Sequence, residues 1–345
     1  MIDFFRLLLV SVCLLGTSVV SVASPVEEDK VAEAPAFRDP VTDGAADPCV
    51  VFNRQEKVWY MFYTQRRANT ESCDVAYCYG NKIGVACSDD NGRSWYYRGT
   101  LDLDFENGHN TFWAPDVVYY KGKYHMFVTY IRGVRNHWGG ASKMMHYTSV
   151  DLWKWKCEGA CKLPKEGVID ATLAQLPSGK WRMWFKWDSK SYFADSDDLF
   201  KWTGADKPAV SDHPHEGAKA FKFGSHYWLV VDEWAGMGVY RSDDFDHWTR
   251  QEGRILDTRS NRRDDGPSGS HGDVVVVGDR AWVFYFTHPG RKRHPDANHD
   301  ANDNIPYEHR RSSIQVAELE ITPEGTLQVK DRNAGVRIYL PNDCK

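Results

Sequence analysis

An all-β chain folded as a five-bladed β-propeller is what this sequence predicts, on three observations. A short aromatic strand recurs five times at spacings of roughly 50 to 60 residues, the scale of a four-stranded blade. A small, mostly apolar run precedes each copy, and a Ser-x-Asp turn leading to Trp follows four of them. No helical periodicity of comparable strength competes with the pattern. A sandwich or jelly roll, the main alternative, gives no reason for a fivefold recurrence.

The aromatic strands are expected at 59–64, 123–128, 180–185, 226–231 and 280–286, each after a polar turn such as Lys121-Gly122-Lys123 or Ser178-Gly179-Lys180. The runs ahead of them, 47–52, 114–119, 170–174, 216–221 and 271–277, are small and apolar enough for innermost strands buried on both faces. The turns at Ser88, Ser149, Ser196 and Ser242 can close through side-chain to backbone bonds, and Trp95, Trp155, Trp202 and Trp248 then begin the outer strands. Blade five lacks that turn, but 312–319 supplies a strand at the matching place. Two irregular insertions, 66–82 and 289–311, are expected at the mouth of a pocket.

Composition supports this reading. Aromatic residues make up 14% of the 345, including 14 Trp, which suits β-structure and ring-stacking surfaces better than a helical bundle. The 43 basic and 48 acidic residues balance to −5 without a long basic run, which argues against a nucleic-acid partner. Residues 1–23 read as a secretory signal: Arg6, an apolar stretch from Leu7 to Val20, then Ser21-Val22-Ala23. A single membrane anchor is the rival reading; with a signal removed, export and no membrane association are expected. Residues 24–36, small, polar and Pro-containing, read as a flexible leader, and 37–345 as one catalytic propeller. In an exported chain Cys73 with Cys78, Cys157 with Cys161, and Cys49 with Cys87 are candidate disulfides, with Cys344 left over. The sequence leaves the oligomeric state undefined.

In a propeller the inner strands start around one end of the axis. Asp47, Asp116, Asp170, Glu216 and His271 open or nearly open the five inner runs, so they are expected to converge on one pit. Carboxyl groups forced together there hold their protons differently, which is what acid/base hydrolysis of a glycosidic bond requires. Each residue also has a plain structural reading: Asp47 before Pro48 can start a turn, Asp170 can cap a strand, and His271 can be a satisfied core histidine. Trp113, Trp187 and Trp234 stand at strand ends where an indole could stack on a sugar, with core packing the equal alternative.

The series Asp47-Pro48, Trp113-Ala114-Pro115-Asp116-Val117, Ile169-Asp170, Glu216-Gly217 and His271-Gly272-Asp273-Val274 resembles glycoside hydrolase family 43 and related propeller glycosidases. The resemblance spans nearly all of the chain from about residue 37. It implies inverting hydrolysis, with Asp47 as general base, Glu216 as general acid and Asp170 tuning that acid. It implies an oligosaccharide or polysaccharide partner, no required cofactor, and a calcium ion or water in the central channel beside His271. Arg310 and Arg311 stand where the family has a basic residue reaching the pocket. Ala171 and Ala218 replace prolines usual in the family, which leaves the sugar open among arabinofuranoside, xyloside and galactoside. His215, next to Glu216, is a candidate substrate contact and an alternative acid, as in relatives that cleave anhydro-galactose. A non-catalytic carbohydrate-binding propeller is the reading from another class.

Overall fold

The computed structural model describes residues 30–292, 298–300 and 304–343. Two strand residues come first, β1 (Lys30–Val31). Blade one follows as β2 (Ala45–Asn53), β3 (Val58–Gln65), β4 (Ile83–Ser88) and β5 (Tyr96–Thr100). Blade two is β6 (Thr111–Tyr120), β7 (Lys123–Ile131), β8 (Lys143–Ser149) and β9 (Lys156–Ala160). Blade three keeps three strands, β10 (Ile169–Gln175), β11 (Trp181–Trp187) and β12 (Lys190–Ser196), its outer edge reduced to a bridge between Asp195 and Thr203. Blade four is β13 (Glu216–Phe223), β14 (His226–Asp232), β15 (Met237–Ser242) and β16 (Thr249–Arg250). Blade five is β17 (Ser270–Val277), β18 (Arg280–Thr287), β19 (Ser313–Ile321) and β20 (Leu327–Val329), and β21 (Arg337–Ile338) comes last. Every blade is an antiparallel meander, and the five sheets match the five predicted repeats, except that the outer strand expected to begin at Trp202 in blade three does not form.

The ring is held by apolar seams between blades. Tyr60 and Phe62 meet Met126 and Val128 between blades one and two, and Phe127 and Met144 meet Leu173 and Met183 between two and three. Trp184 faces Ala220 and Leu229, and Trp228 and Val230 face Val274 and Val283, across the next two seams. Phe52 and Met61 close the ring against Trp282 and Phe284. Adjacent residues of one strand serve opposite seams, as the two-residue alternation of a pleated strand requires.

That last seam also takes in both ends of the described chain. β1 pairs with β21, while Ile338 and Leu340 fill the core beside Trp59. Residues 30–36, read from composition as leader, pack against the propeller: Ala32 and Ala36 are buried in the same cluster as Phe37, Trp59 and Trp282. The signal expected at 1–23, with Cys13, and Cys344 lie outside the described residues. Among the described residues no helix is long and apolar enough to cross a membrane.

The three expected disulfides are not formed; Cys49, Cys73, Cys78, Cys87, Cys157 and Cys161 are all free thiols. Cys157 and Cys161 lie along extended chain, where four residues span about 13 Å, twice the reach of a disulfide. Cys73 and Cys78 sit at the two ends of a 3-10 helix (Asp74–Cys78), one exposed and one buried. Cys49 is on β2 and Cys87 on β4, with β3 between them. Local spacing in sequence overstated proximity in each case.

Candidate active site

Each inner strand carries a bulge near its start. In blade one the register jumps between Ala46 and Cys49, in blade two between Trp113 and Asp116, in blade three between Ile169 and Thr172, in blade four between Glu216 and Lys219, and in blade five between Ser270 and Gly272. The bulged residues Asp47, Ala114, Asp170 and Gly217 all take positive φ, between 46° and 56°. Aspartate tolerates that region better than most side chains, and a bulge re-aims the side chain off the pleat. Asp47 and Asp170 are thereby turned toward the axis, and Glu216 reaches the same place from one residue earlier.

The result is a cavity of about 700 Å³ at this end of the axis. Asp47, Trp113, Asp170, Trp187, Glu216, Trp234 and His271 line it, as the sequence predicts. Asp47 lies 3.5 Å from the Arg66 guanidinium and 3.7 Å from His271 Nδ1. Asp170 Oδ2 accepts from the Gly217 backbone N–H at 3.3 Å, which ties it to the strand that carries Glu216. Glu216 accepts from Lys186 Nζ at 2.7 Å and from the Trp234 indole N–H at 2.9 Å, one donor on each oxygen. Trp113, buried in the wall, donates to the Cys78 carbonyl and meets Tyr79 edge-on at 4.8 Å. Trp187 packs edge-on against Tyr192 under the Lys165 ammonium, while Trp234 leaves 51% of its surface open at the mouth.

Four further residues of the site were not read from the sequence: Arg66, Lys186, Asp232 and His288. All lie at or just past the end of a second strand, and in an antiparallel hairpin that end faces the start of the first. Asp232 is the direct cross-strand partner of Glu216, and Lys186 that of Ile169. Counting back from each hairpin turn would have found them. Both insertions reach the mouth as expected, through Tyr77 and Cys78 on one side and Arg291, Lys292 and Asn298 on the other.

Crowding makes these carboxyl groups unequal. Burial, then the nearby Glu216 charge, pushes Asp232 up to about 7, although the His271 and Trp234 backbone N–H groups favour its anion. Burial also raises Asp170, to about 6, with His271 opposing and Glu216 adding to the rise. Glu216 is under the same burial, but the Lys186 charge and its hydrogen bond, joined by Trp234 and His271, carry it below the usual carboxylate value.

Three predicted contacts fall outside the cavity. Asp116 comes two residues after the bulged Ala114, so it sits one layer deeper, level with Cys49, Lys219 and Asp273. There Lys219 Nζ bridges Asp116 at 2.9 Å and Asp273 at 2.7 Å, and both carboxylates also accept backbone N–H bonds. His215 is fully buried, bonded to Ser191 Oγ and the His213 carbonyl; strand alternation turns it away from the face that Glu216 presents. Arg310 ends a short helix (Tyr307–Arg310), is buried, and does not line the pocket. Arg66 and Lys186 supply the basic groups instead.

The axial carboxylates already hold an ammonium group, His271 faces Asp47, and among the described residues no three His, Cys, Asp or Glu side chains are grouped to hold a metal.

No protein-family model matches the chain. Its sequence is 28% identical over 177 residues to a probable arabinan endo-1,5-alpha-L-arabinosidase A of Emericella nidulans, a match covering 45% of this chain and 52% of that protein. The chain thus spans about half the length of this curated relative. Among solved structures, a thermostable family-43 glycoside hydrolase superposes with a TM-score of 0.62 at 18% identity, covering 88% of this chain and 98% of the other. A beta-xylosidase/alpha-arabinofuranosidase from a compost metagenome gives 0.62 at 16%, over 87% and 98% of the two chains. An exo-1,5-alpha-L-arabinanase from a bovine ruminal metagenome gives 0.59 at 16%, over 85% and 99%. In its fold the protein is a five-bladed propeller like those of the family-43 glycoside hydrolases.

Proposed function

We propose that the protein is an exported, inverting glycoside hydrolase that releases a terminal or side-chain sugar from an oligosaccharide or polysaccharide. The observation that carries this reading is the meeting of Asp47, Asp170 and Glu216, from three different blades, on the wall of one cavity. The relatives named above act on arabinan, arabinofuranosides and xylosides, so a pentosyl unit is favoured over a galactosyl one. Export rests on the 1–23 pattern alone.

In this mechanism Asp47 takes a proton from a water molecule as that water attacks the anomeric carbon. Glu216 gives its proton to the glycosidic oxygen, and the bond electrons leave with the departing alcohol. Asp170, linked to the Gly217 N–H, orients the Glu216 strand and repels negative charge on the acid. Arg66 and His271 hold the base in place.

Turnover of aryl α-L-arabinofuranosides, β-D-xylosides and the matching unactivated disaccharides tests the reading, with Asp47→Asn and Glu216→Gln beside the wild type. General acid or base groups contribute about 10²- to 10⁴-fold, so both variants should lose at least 10²-fold on disaccharides. Glu216→Gln should lose less on aryl substrates, whose leaving groups need no proton. Wild-type rates from either variant on a disaccharide overturn the mechanism, and sugar binding without turnover of any substrate favours a binding-only propeller.

A further inference from the structure

Lys186 lies at the end of β11, one blade away from the glutamate it touches, and keeps only 20% of its side chain exposed. Its ammonium sits 2.7 Å from Glu216 Oε2 and 5.9 Å from the Trp234 ring, whose indole N–H holds Oε1. Both oxygens of the carboxyl are therefore fixed by donors, one charged and buried, one neutral and at the mouth. A carboxyl that must give up a proton is here held in the geometry that suits its anion.

We propose that Lys186 is a positioning residue of the acid step: it clamps the Glu216 carboxyl across two blades and, by its charge, sets how readily that carboxyl holds a proton. The proposal rests on Glu216 being the acid of the reaction above. With Oε2 bound to an ammonium group, the transferable proton belongs on Oε1, which among the described residues is bonded by the open indole of Trp234. A leaving-group oxygen displaces that indole and takes the proton from Oε1, and the carboxylate left behind is stabilised by Lys186 as it forms. The same cation that disfavours protonation thus favours release.

Other charges face Glu216 from every side. Asp170 on β10 and Asp232 on β14 raise its affinity for a proton, as does Asp47 on β2 from further across the cavity. His271 on β17 and Arg66 after β3 lower it, but neither touches the carboxyl, whereas Lys186 does. Removing Lys186 takes away the charged donor that touches the carboxyl and leaves the repulsion between Glu216 and both Asp170 and Asp232.

The test is a carboxyl ¹³C NMR titration of the Glu216 side chain, assigned with Glu216→Gln, in the wild type, Lys186→Met and Lys186→Arg. The expected result is a Glu216 midpoint at least one pH unit higher in Lys186→Met than in the wild type, with Lys186→Arg close to the wild type. The basic limb of kcat/KM should move up with it, and kcat should fall more than KM changes. An unmoved midpoint in a folded Lys186→Met overturns the proposal, as does Lys186→Arg behaving like Lys186→Met. The titration reads the clamp without turnover, so a wild type inactive on all glycosides overturns the hydrolase reading while the titration still decides the role of Lys186.

Discussion

Asp232 and Asp170 are buried carboxyl groups that the folded protein would rather keep protonated. The sign of their effect follows: between the unfolded value near 3.8 and the folded value near 7, the native state binds the extra proton, so stability falls as pH rises through that window. Asp232→Asn removes the repulsion with Glu216 while keeping an acceptor for one of the two backbone N–H groups. It should stabilise the protein by about 1 kcal/mol at pH 8 and by nothing at pH 4, which a pair of thermal melts at the two pH values will show. A gain of equal size at both values contradicts the assignment. Activity should fall in the same variant, because the acid's neighbour has changed, so stability and function oppose each other at this residue.

At the scale of the element, the Ser-x-Asp turn explains how the outer strands are hung. In blade two Asp151 Oδ1 accepts from the Trp153 and Lys154 backbone N–H groups and from Ser149 Oγ, and Leu152 is set at a φ of 63° with its side chain buried. Blades three and four repeat the same bonds at Asp198 and Asp244. Asp151→Ala leaves two backbone donors to water at a partly exposed turn and should cost about 1 kcal/mol in chemical unfolding at pH 7. Its bonds depress the Asp151 carboxyl, so that contribution is present above the unfolded value and disappears as pH falls below it. The inner element shows the complementary device: a bulge with positive φ that turns an aspartate toward the axis, used at Asp47 and Asp170 and left without a carboxylate at Ala114 and Gly217.

For the whole molecule, two features hold the ring. Lys219, with 13% of its side chain exposed, bridges Asp116 and Asp273, each 6% exposed, at the centre of the axis. Lys219→Met strands two buried carboxylates and should cost about 3 to 5 kcal/mol, as breaking a buried ion pair does. Because the cation there is part of the chain, EDTA should leave the Tm of the wild type unchanged; a drop on chelation would show that a metal ion shares the channel. The seam between blades five and one is closed by the two ends of the described residues, so Ile338→Ala should cost about 2 to 5 kcal/mol, the usual loss for emptying a core site, measured as a lower midpoint in urea.

What could be read without coordinates was whatever repeats. Trp59, Tyr124, Trp181, Trp228 and Trp282 recur with the same turn before them, and fivefold recurrence leaves a ring of blades as the economical solution. Asp47, Asp116, Asp170 and Glu216 stood out because a carboxylate at the start of an apolar run is costly unless it faces something, and the resemblance to family 43 is what separated Asp47, Asp170 and Glu216 from the rest. The fold alone decided depth and facing. A bulge two residues earlier sends Asp116 below the pocket, alternation hides His215, and the hairpin return brings in Lys186 and Asp232, which no motif marks. Those outcomes depend on strand register and on which blades are neighbours, and they follow from pairing and seam packing among residues far apart in the chain, to which local pattern is blind.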